Sequence, residues 1–386
     1  MKIFNSGSIP SNSSLSNLGL TYDDILIVPK RSEILSRNDT DLETNLTKNI
    51  KIKTPIISAN MSSVTESRMA IDMALFGGIG FIHRFMTIER CVDEIKKVKN
   101  YHYDKEKYKS ASKDKNGKLL VGASIGVRDN YMKNTEMLLT AGADIIVIDV
   151  AHGHSIKAIN AVKDLTSEFK GSGSKGSKSK DDIVLIIGNI ATYDAATEFI
   201  QLGVDALKVG IGPGSACSTR IVTGVGIPQI TAIDEVYRAS KITGIPIIAD
   251  GGIRNSGDIA KALACGASSV MIGNLLARTI SSSGNTVDIN GELFKEYKGE
   301  ASRAEMNKQF KLERRINTKN LVPEGVEGRV PIDGTVEDTL NRLTGGIRSS
   351  MSYTNSRTLK EFRDNAEFIQ ITTAGFRESA PHDIIL

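Results

Sequence analysis

PIIADGG (246–252) and SVMIGN (269–274) are short apolar runs that end in glycine and polar residues, and six similar runs precede them. Each run is almost continuously hydrophobic, as expected of a parallel strand buried on both faces. The other six are PIISAN (55–60), GIGFIH (78–83), LLVGASIG (119–126), DIIVIDV (144–150), VLIIGNI (184–190) and ALKVGIG (206–212). Amphipathic segments separate the runs, so strand and helix alternate eight times. This alternation predicts a closed (β/α)8 TIM barrel, with a doubly wound open sheet as the alternative.

The length fits one barrel with insertions, so we predict a single catalytic domain over residues 1–386. Three segments interrupt the alternation. The charged segment 100–118 and the Gly/Ser/Lys-rich segment 171–182 are predicted to be flexible loops. A long polar segment follows the eighth strand, and we expect residues 292–330 to form an active-site flap.

Composition excludes several classes of function. The net charge is only +4, and the lysine-rich stretches have no periodic face, which disfavours a nucleic-acid surface. The three cysteines have neither metal-ligand nor disulfide-framework spacing. No run resembles a signal peptide or a membrane span, so a soluble, cytoplasmic protein is expected.

Active sites of (β/α)8 barrels lie at the carboxyl ends of the strands, where GIGPGSACSTR (210–220) follows the sixth apolar run. Its glycines allow close backbone approach, and Cys217 lies among small polar residues with Arg220 nearby. We therefore predict that Cys217 is a nucleophile. Cys91 and Cys265 are expected to be buried apolar residues.

The seventh and eighth strands indicate a nucleotide site. Asp250 before two glycines suits a ribose diol, although an aspartate before a turn is more often a helix cap. Gly273 ends the eighth strand, where this fold usually binds phosphate through backbone N–H groups. Together these residues favour a nucleoside monophosphate. Glu324 lies in the turn of VPEGVEGRV, and by itself this position favours a solvated carboxylate.

These residues together resemble the IMP dehydrogenase/GMP reductase family, from LTYDDILIVP (20–29) to FRESAPHD (376–383). The most specific matches are GIGPGSACSTRIVTGVGIPQ, IPIIADGGIRNSGDIAKALACGASSVMIG and LVPEGVEGRVP. The resemblance implies a homotetramer that binds GMP or IMP, in which Cys217 attacks C2 of the purine with help from Thr219 and Glu324. The implied nucleotide ligands are Ser215, Asp250, Gly251, Gly252, Gly273 and Asn274. The implied cofactor contacts are Arg84, Asp149 and Asn189, and carbonyls of Gly212, Gly214 and Cys217 would bind potassium.

Members of the family commonly carry CBS regulatory modules between the second helix and the third strand. In this chain only the segment 100–118 fills that space, so no CBS modules are expected.

The choice between the two reactions depends on the flap. The dehydrogenases hydrolyse a thioimidate and supply a base for water from an Arg-Tyr dipeptide, about a dozen residues before the VPEG motif. That position falls near Phe310 and Lys311, while Arg314 and Arg315 lie closer to the motif without a tyrosine. KGEAS (298–302) also departs from the RGMGS pattern of the dehydrogenases. We therefore predict a GMP reductase that uses NADPH.

Two other interpretations stay open. AHGHS (151–155) and VPEGVEGRV look like dehydrogenase sequences, so the first alternative is an NAD-dependent IMP dehydrogenase. The second is a nucleotide-binding relative without catalytic activity. The presence of Cys217, Thr219 and Glu324 together argues against the second.

Overall fold

The computed structural model describes residues 18–128, 130–170, 183–312 and 322–381. Its centre is a closed barrel of eight parallel strands in sequence order, with the eighth paired to the first. This confirms the predicted (β/α)8 fold and excludes an open sheet. The barrel strands are β1 (Ile56–Ser58), β2 (Ile79–Ile82), β3 (Val121–Ile125), β4 (Ile145–Asp149), β5 (Leu185–Ile190), β6 (Ala206–Val209), β7 (Ile247–Asp250) and β8 (Ser269–Ile272).

Helices surround the barrel, and many begin at a side chain that caps the first turn. Thr87, Ser155, Thr192 and Asn255 each accept a hydrogen bond from a backbone N–H of the first turn. The outer helices are α1 (Ser67–Leu75), α2 (Ile88–Lys99), α3 (Tyr131–Ala141), α4 (Ile156–Phe169), α5 (Tyr193–Gln201), α6 (Gln229–Ser240), α7 (Ser256–Cys265) and α8 (Val336–Tyr353).

The barrel interior is a layer of aliphatic side chains around one phenylalanine. Ile57, Ile145 and Ile248 are fully buried there, as is Phe81. A Cβ atom at Gly122 would lie 2.1 Å from the Phe81 ring, so the neighbouring strand accommodates the ring only because it carries glycine. The interior is thus filled, and a ligand can reach only the strand ends.

The segment after β8 forms a three-stranded antiparallel sheet, which adjoins one short helix. Its strands are Thr286–Ile289, Glu292–Lys298 and Glu327–Pro331, and the helix is Arg303–Leu312. Asn290 and Gly291 make the hairpin turn with φ of 55° and 88°. Part of the predicted flap, residues 313–321, lies outside the described residues.

The remaining elements are short. They are the strands Ile25–Ile27, Thr44–Asn45, Lys51–Ile52 and Phe368–Gln370, the 3-10 helices Tyr22–Asp24 and Arg37–Asp39, and the helices Thr219–Thr223, Asn274–Ala277, Leu359–Asn365 and Thr373–Glu378. Among the helices of the described ranges, none has the length and apolar character needed to cross a bilayer.

The connection between α2 and β3 contains turns and no inserted module. The Lys99 ammonium ties it down by contacting Asp114 and Asp144, both at 2.9 Å, and the carbonyl of Leu119 at 3.0 Å. These contacts lie at the amino ends of the strands, away from the expected site. The other segment predicted to be a flexible loop, 171–182, lies outside the described residues.

Candidate active site

The carboxyl ends of the strands surround a cavity of about 1650 Å³. This exceeds the volume usual for one drug-sized ligand, so a nucleotide and a dinucleotide could share it. The cavity brings together most of the predicted site residues. Those that line it are Arg84, Asp149, Asn189, Gly212, Gly214, Cys217, Thr219, Asp250, Gly251 and Glu324.

Cys217 lies on the turn between β6 and a short helix that begins at Thr219. Its thiol donates a hydrogen bond to Thr219 Oγ1 at 3.1 Å, and its backbone N–H donates to the Gly214 carbonyl at 3.0 Å. The side chain is half-buried, so the sulfur is positioned and still accessible from the cavity. Such a thiol can attack an electrophilic carbon once it is deprotonated.

The flap is joined to the cysteine loop by backbone pairing. Cys217 pairs with Gly325 as an isolated antiparallel bridge, and the Ser218 N–H donates to the Glu324 carbonyl at 2.8 Å. Glu324 therefore reaches the cavity through main-chain contacts with the loop. The hydrogen bond found for the Thr219 hydroxyl is with the Cys217 thiol, so a relay from Thr219 to Glu324 stays a prediction.

A buried charge cluster lies below the cysteine loop. Lys208 Nζ is 2.9 Å from Asp149 Oδ1 and 2.9 Å from Asp250 Oδ2, and it also contacts the side chain of Asn189. Asn189 Nδ2 donates to Asp250 Oδ2 at 2.9 Å. The strands β4, β5 and β7 thus bring Asp149, Asn189 and Asp250 to one lysine on β6, which fixes the orientation of both carboxylates.

The electrostatics of this cluster follow from burial and pairing. Burial opposes ionisation of Lys208, but Asp149 and Asp250 outweigh it and raise the pKa of the ammonium. Burial likewise opposes ionisation of Asp149, and Lys208 and Arg84 outweigh it, so the pKa of that carboxyl falls below its usual value. Lys208 and Asp149 are therefore both charged at neutral pH.

A second group of predicted residues lies beside the cavity, at the ends of β7 and β8. Ser215 Oγ donates to Tyr297 Oη at 3.3 Å, and a Cβ atom at Gly273 would lie 2.8 Å from the same hydroxyl. Gly252 has a φ of 79°, which only glycine adopts easily. The Asn274 side chain accepts a hydrogen bond from Arg278 Nε at 3.2 Å. None of Ser215, Gly252, Gly273 and Asn274 lines the main cavity within the described residues.

The other predicted residues have clear surroundings. Arg84 stacks on the Phe85 ring at 4.7 Å, and its Nε is 3.9 Å from Asp149 Oδ2. Cys91 and Cys265 are buried, and burial raises the pKa of each thiol to about 12. A thiol with that pKa is a poor nucleophile at neutral pH, in contrast to one that faces a cavity.

Sequence reasoning did not assign a role to Lys208, Tyr297 or Glu300, which all line the cavity. Lys208 had a usable signal, because a lysine inside the apolar run ALKV must be paired if that run is a buried strand. KGEAS was noted for its departure from the family pattern, but nothing in the sequence shows that its glutamate points into the barrel. Tyr297 gave no signal at all.

The fold and the cavity define a class: a (β/α)8 barrel with a cavity-lining cysteine on the loop after β6 and a buried charge cluster at the strand ends. Residues 19–382 match the family model described as the IMP dehydrogenase/GMP reductase domain. The chain belongs to this family.

Known members show which branch is closer. The chain is 45% identical to the inosine-5'-monophosphate dehydrogenase of Cryptosporidium parvum, over 95% of each chain. It is 42% identical to the enzyme of the same name from Borreliella burgdorferi, over 95% of this chain and 97% of the relative. The dehydrogenase of Nitrosopumilus maritimus is 38% identical, over 95% and 99%.

The prediction of a GMP reductase is therefore wrong, because these three relatives, each similar over 95% of this chain, are all IMP dehydrogenases. The error came from counting back from Glu324 to locate a water-activating base. That count ended at Phe310, which is buried on a helix and is contacted by the Arg128 guanidinium at 5.9 Å from the ring centre, so it is a packing residue. Arg314 and Arg315 lie outside the described residues.

Proposed function

We propose that this protein is an IMP dehydrogenase, which oxidises IMP at C2 with NAD and releases XMP. The observation that carries the proposal is Cys217, held by Thr219 at the mouth of a cavity large enough for both substrates. Identity of 35–45% to dehydrogenases over nearly the whole chain supports the reaction.

The nucleotide would bind across the ends of β6, β7 and β8. Lys208 and Asn189 both bond to Asp250 Oδ2, which leaves Oδ1 available for a ribose hydroxyl. Gly251 and Gly252 adopt φ of 96° and 79°, which favour glycine, and without side chains they would leave room for the sugar. The phosphate would lie by Ser215, Gly273 and Asn274, where Tyr297 adds a hydroxyl donor.

The chemistry has two stages. The Cys217 thiolate adds to C2 of IMP, and the hydrogen at C2 leaves with its electron pair as hydride, for which bound NAD is the acceptor. The carbon is then joined to sulfur as a thioimidate, which water hydrolyses to XMP and the free thiol. Arg84, Asp149 and Asn189 would position the nicotinamide, and closure of the 292–330 flap would control access of water.

A potassium ion is a further proposal. The expected ligands Gly212, Gly214 and Cys217 lie on one turn, closed by the bond from Cys217 N–H to the Gly214 carbonyl. Gly212 has a φ of 87°, and backbone carbonyls are the oxygen donors that hard cations prefer. The turn fits a cation, whose role would be to hold the loop in shape. The homotetramer likewise stays a proposal, testable by light scattering.

The test follows reduced nicotinamide by absorbance with purified protein, IMP, NAD and potassium, together with XMP by chromatography. We expect equal amounts of NADH and XMP. Cys217→Ala should abolish both while IMP binding, measured by calorimetry, persists; Cys265→Ala is the matched control and should stay active. Consumption of NADPH with GMP, without NADH formation from IMP, would contradict the proposal.

A further inference from the structure

Glu300 brings a third carboxyl group to the charge cluster at the barrel mouth. It follows Gly299, whose Cβ position lies 2.5 Å from the Ala216 carbonyl, so the backbone here packs directly on the cysteine loop. Its Oε1 accepts a hydrogen bond from Asn60 Nδ2 at 3.2 Å, and the side chain lines the cavity with Cys217. The carboxyl therefore lies within the space that a nucleotide must enter.

The charges around Glu300 do not balance if all three carboxyl groups ionise. The cations are Lys208 and Arg84, whereas Asp149, Asp250 and Glu300 would together carry three negative charges. Asp149 and Asp250 each have a direct ion pair with Lys208, whereas the polar partners of Glu300 are the amide of Asn60 and the carboxyl group of Asp149. The proton of the cluster belongs on Glu300, since its ionisation would leave one uncompensated negative charge.

Polar and titratable groups from the adjoining elements lie around Glu300. They are Asn60 after β1, Arg84 after β2, Asp149 on β4, Asn189 on β5, Lys208 on β6, Cys217 and Thr219 after β6, Asp250 on β7, and Tyr297 and Glu324 on the flap. The same cavity is also lined by Glu89, Cys91, Arg128, Tyr131, Lys133, Lys157 and Asp164. Burial and then Asp149 raise the pKa of Glu300 well above its usual value, in agreement with the charge count.

We propose that Glu300 is a substrate-recognition residue that contacts the bound nucleotide in its protonated form. This inference rests on the proposed function for the identity of the ligand, IMP. A protonated Glu300 donates its one proton to Asp149, can still accept a hydrogen bond from the nucleotide, and adds no charge beside the phosphate dianion. An ionised Glu300 loses the hydrogen bond to Asp149 and adds repulsion in a poorly solvated cavity.

The consequence is a pH-dependent affinity. If binding selects the protonated form, affinity is full below the pKa of Glu300 in the free protein and falls as the pH rises through it, by at most about tenfold per pH unit. The IMP phosphate also titrates, near pH 6, but it does so equally in every variant.

The experiment measures the Kd of IMP by calorimetry from pH 6.5 to 8.5 for the wild-type protein, Glu300→Gln and Glu296→Gln. Glutamine keeps the shape and donor capacity of the protonated acid without titrating. The ratio of the wild-type Kd to the Glu300→Gln Kd should increase at least about threefold over this range. Glu296 lies on the flap strand that precedes Glu300 and pairs with Lys298 at 3.0 Å, so its variant should follow the wild type.

A ratio that stays constant within about twofold would overturn the proposal, including the case in which Glu300→Gln weakens binding equally at every pH. If that variant does not fold, the wild-type protein alone decides. Titrations at pH 8 in buffers of different ionisation enthalpy should show proton uptake on binding, and no uptake refutes the proposal. Absence of IMP binding at any pH overturns the proposed function as well, whereas binding without the pH effect overturns only the role of Glu300.

Discussion

Replacing Lys208 with methionine tests the charge cluster most directly. Lys208 is 3% exposed and pairs with Asp149, which is 4% exposed. Removing one partner of a buried ion pair costs about 3–5 kcal/mol, because the remaining charge is uncompensated. A chain of 386 residues has an unfolding entropy of about 0.8 kcal/mol per degree, so the Tm should fall by about 4–6 °C.

The same substitution should weaken IMP binding by at least about tenfold. Without Lys208, Asp149 and Asp250 lose the cation that orients them, and Asp250 is the proposed ribose ligand. Lys99→Met is a matched control, because Lys99 is 8% exposed and pairs with Asp114 and Asp144 at the opposite end of the barrel. It should lose comparable stability and keep its affinity for IMP within about twofold.

Calorimetric unfolding and IMP titrations of the two variants are the assay, with the double variant Lys208→Met/Asp149→Asn as a third arm. Asparagine at position 149 removes one of the two carboxylates that Lys208→Met leaves uncompensated, so the Tm of the double variant should be higher than that of Lys208→Met. The reasoning is refuted if Lys208→Met unfolds at the wild-type temperature. It is also refuted if Lys99→Met impairs IMP binding as much as Lys208→Met does.

Three further outcomes are expected. Iodoacetamide should alkylate Cys217 well before the two buried cysteines, and bound IMP should protect Cys217 from alkylation. Peptide mass spectrometry measures the order of labelling, and earlier labelling of a buried cysteine would contradict the prediction. If Arg314 or Arg315 supplies the base for hydrolysis, replacing both with alanine should stop the reaction after hydride transfer. The variant should then produce a burst of one NADH per site and keep a covalent adduct on Cys217. Unchanged steady-state turnover would contradict this role. The raised pKa of Glu300 means that its contribution to the stability of the folded protein is lost as the pH rises. The Tm of Glu300→Gln should therefore increase relative to the Tm of the wild type between pH 5 and pH 8. A Tm difference that stays constant in thermal scans argues against a buried protonated acid.

The fold could be predicted from the sequence because parallel barrel strands carry a strong local signal. Runs such as DIIVIDV and VLIIGNI are apolar on both faces, and each ends at the polar residue that the strand end presents to the cavity. Asp149, Asn189 and Asp250, which the sequence predicts at strand ends, line the cavity. The closed topology then brings together residues that are up to about a hundred positions apart.

The contacts between side chains are harder to predict from the sequence. The sequence places Lys208 on a strand, but its direction into the cluster depends on the register of β6 between β5 and β7. Tyr297 and Glu300 depend on how the flap strand crosses the barrel mouth, which is a tertiary relation without a local pattern. Ser215 was placed with the phosphate ligands, yet its neighbour Tyr297 could only be found in three dimensions.

The wrong prediction of a GMP reductase has a physical explanation, because the two steps of the proposed reaction depend on different parts of the molecule, the barrel and the flap. In the proposed mechanism Cys217 attacks C2 of the purine from the loop after β6, where the barrel fixes its position. The base for hydrolysis would come from the flap segment before Glu324, where the alternation of strands and helices sets no spacing. Counting residues back from Glu324 therefore could not identify that base. Sequence identity to the dehydrogenases is a better guide to the reaction, because it draws on residues throughout the chain. A burst of NADH in the Arg314/Arg315 variant would place the base in that segment, and unchanged turnover would direct the search to the cavity-lining groups.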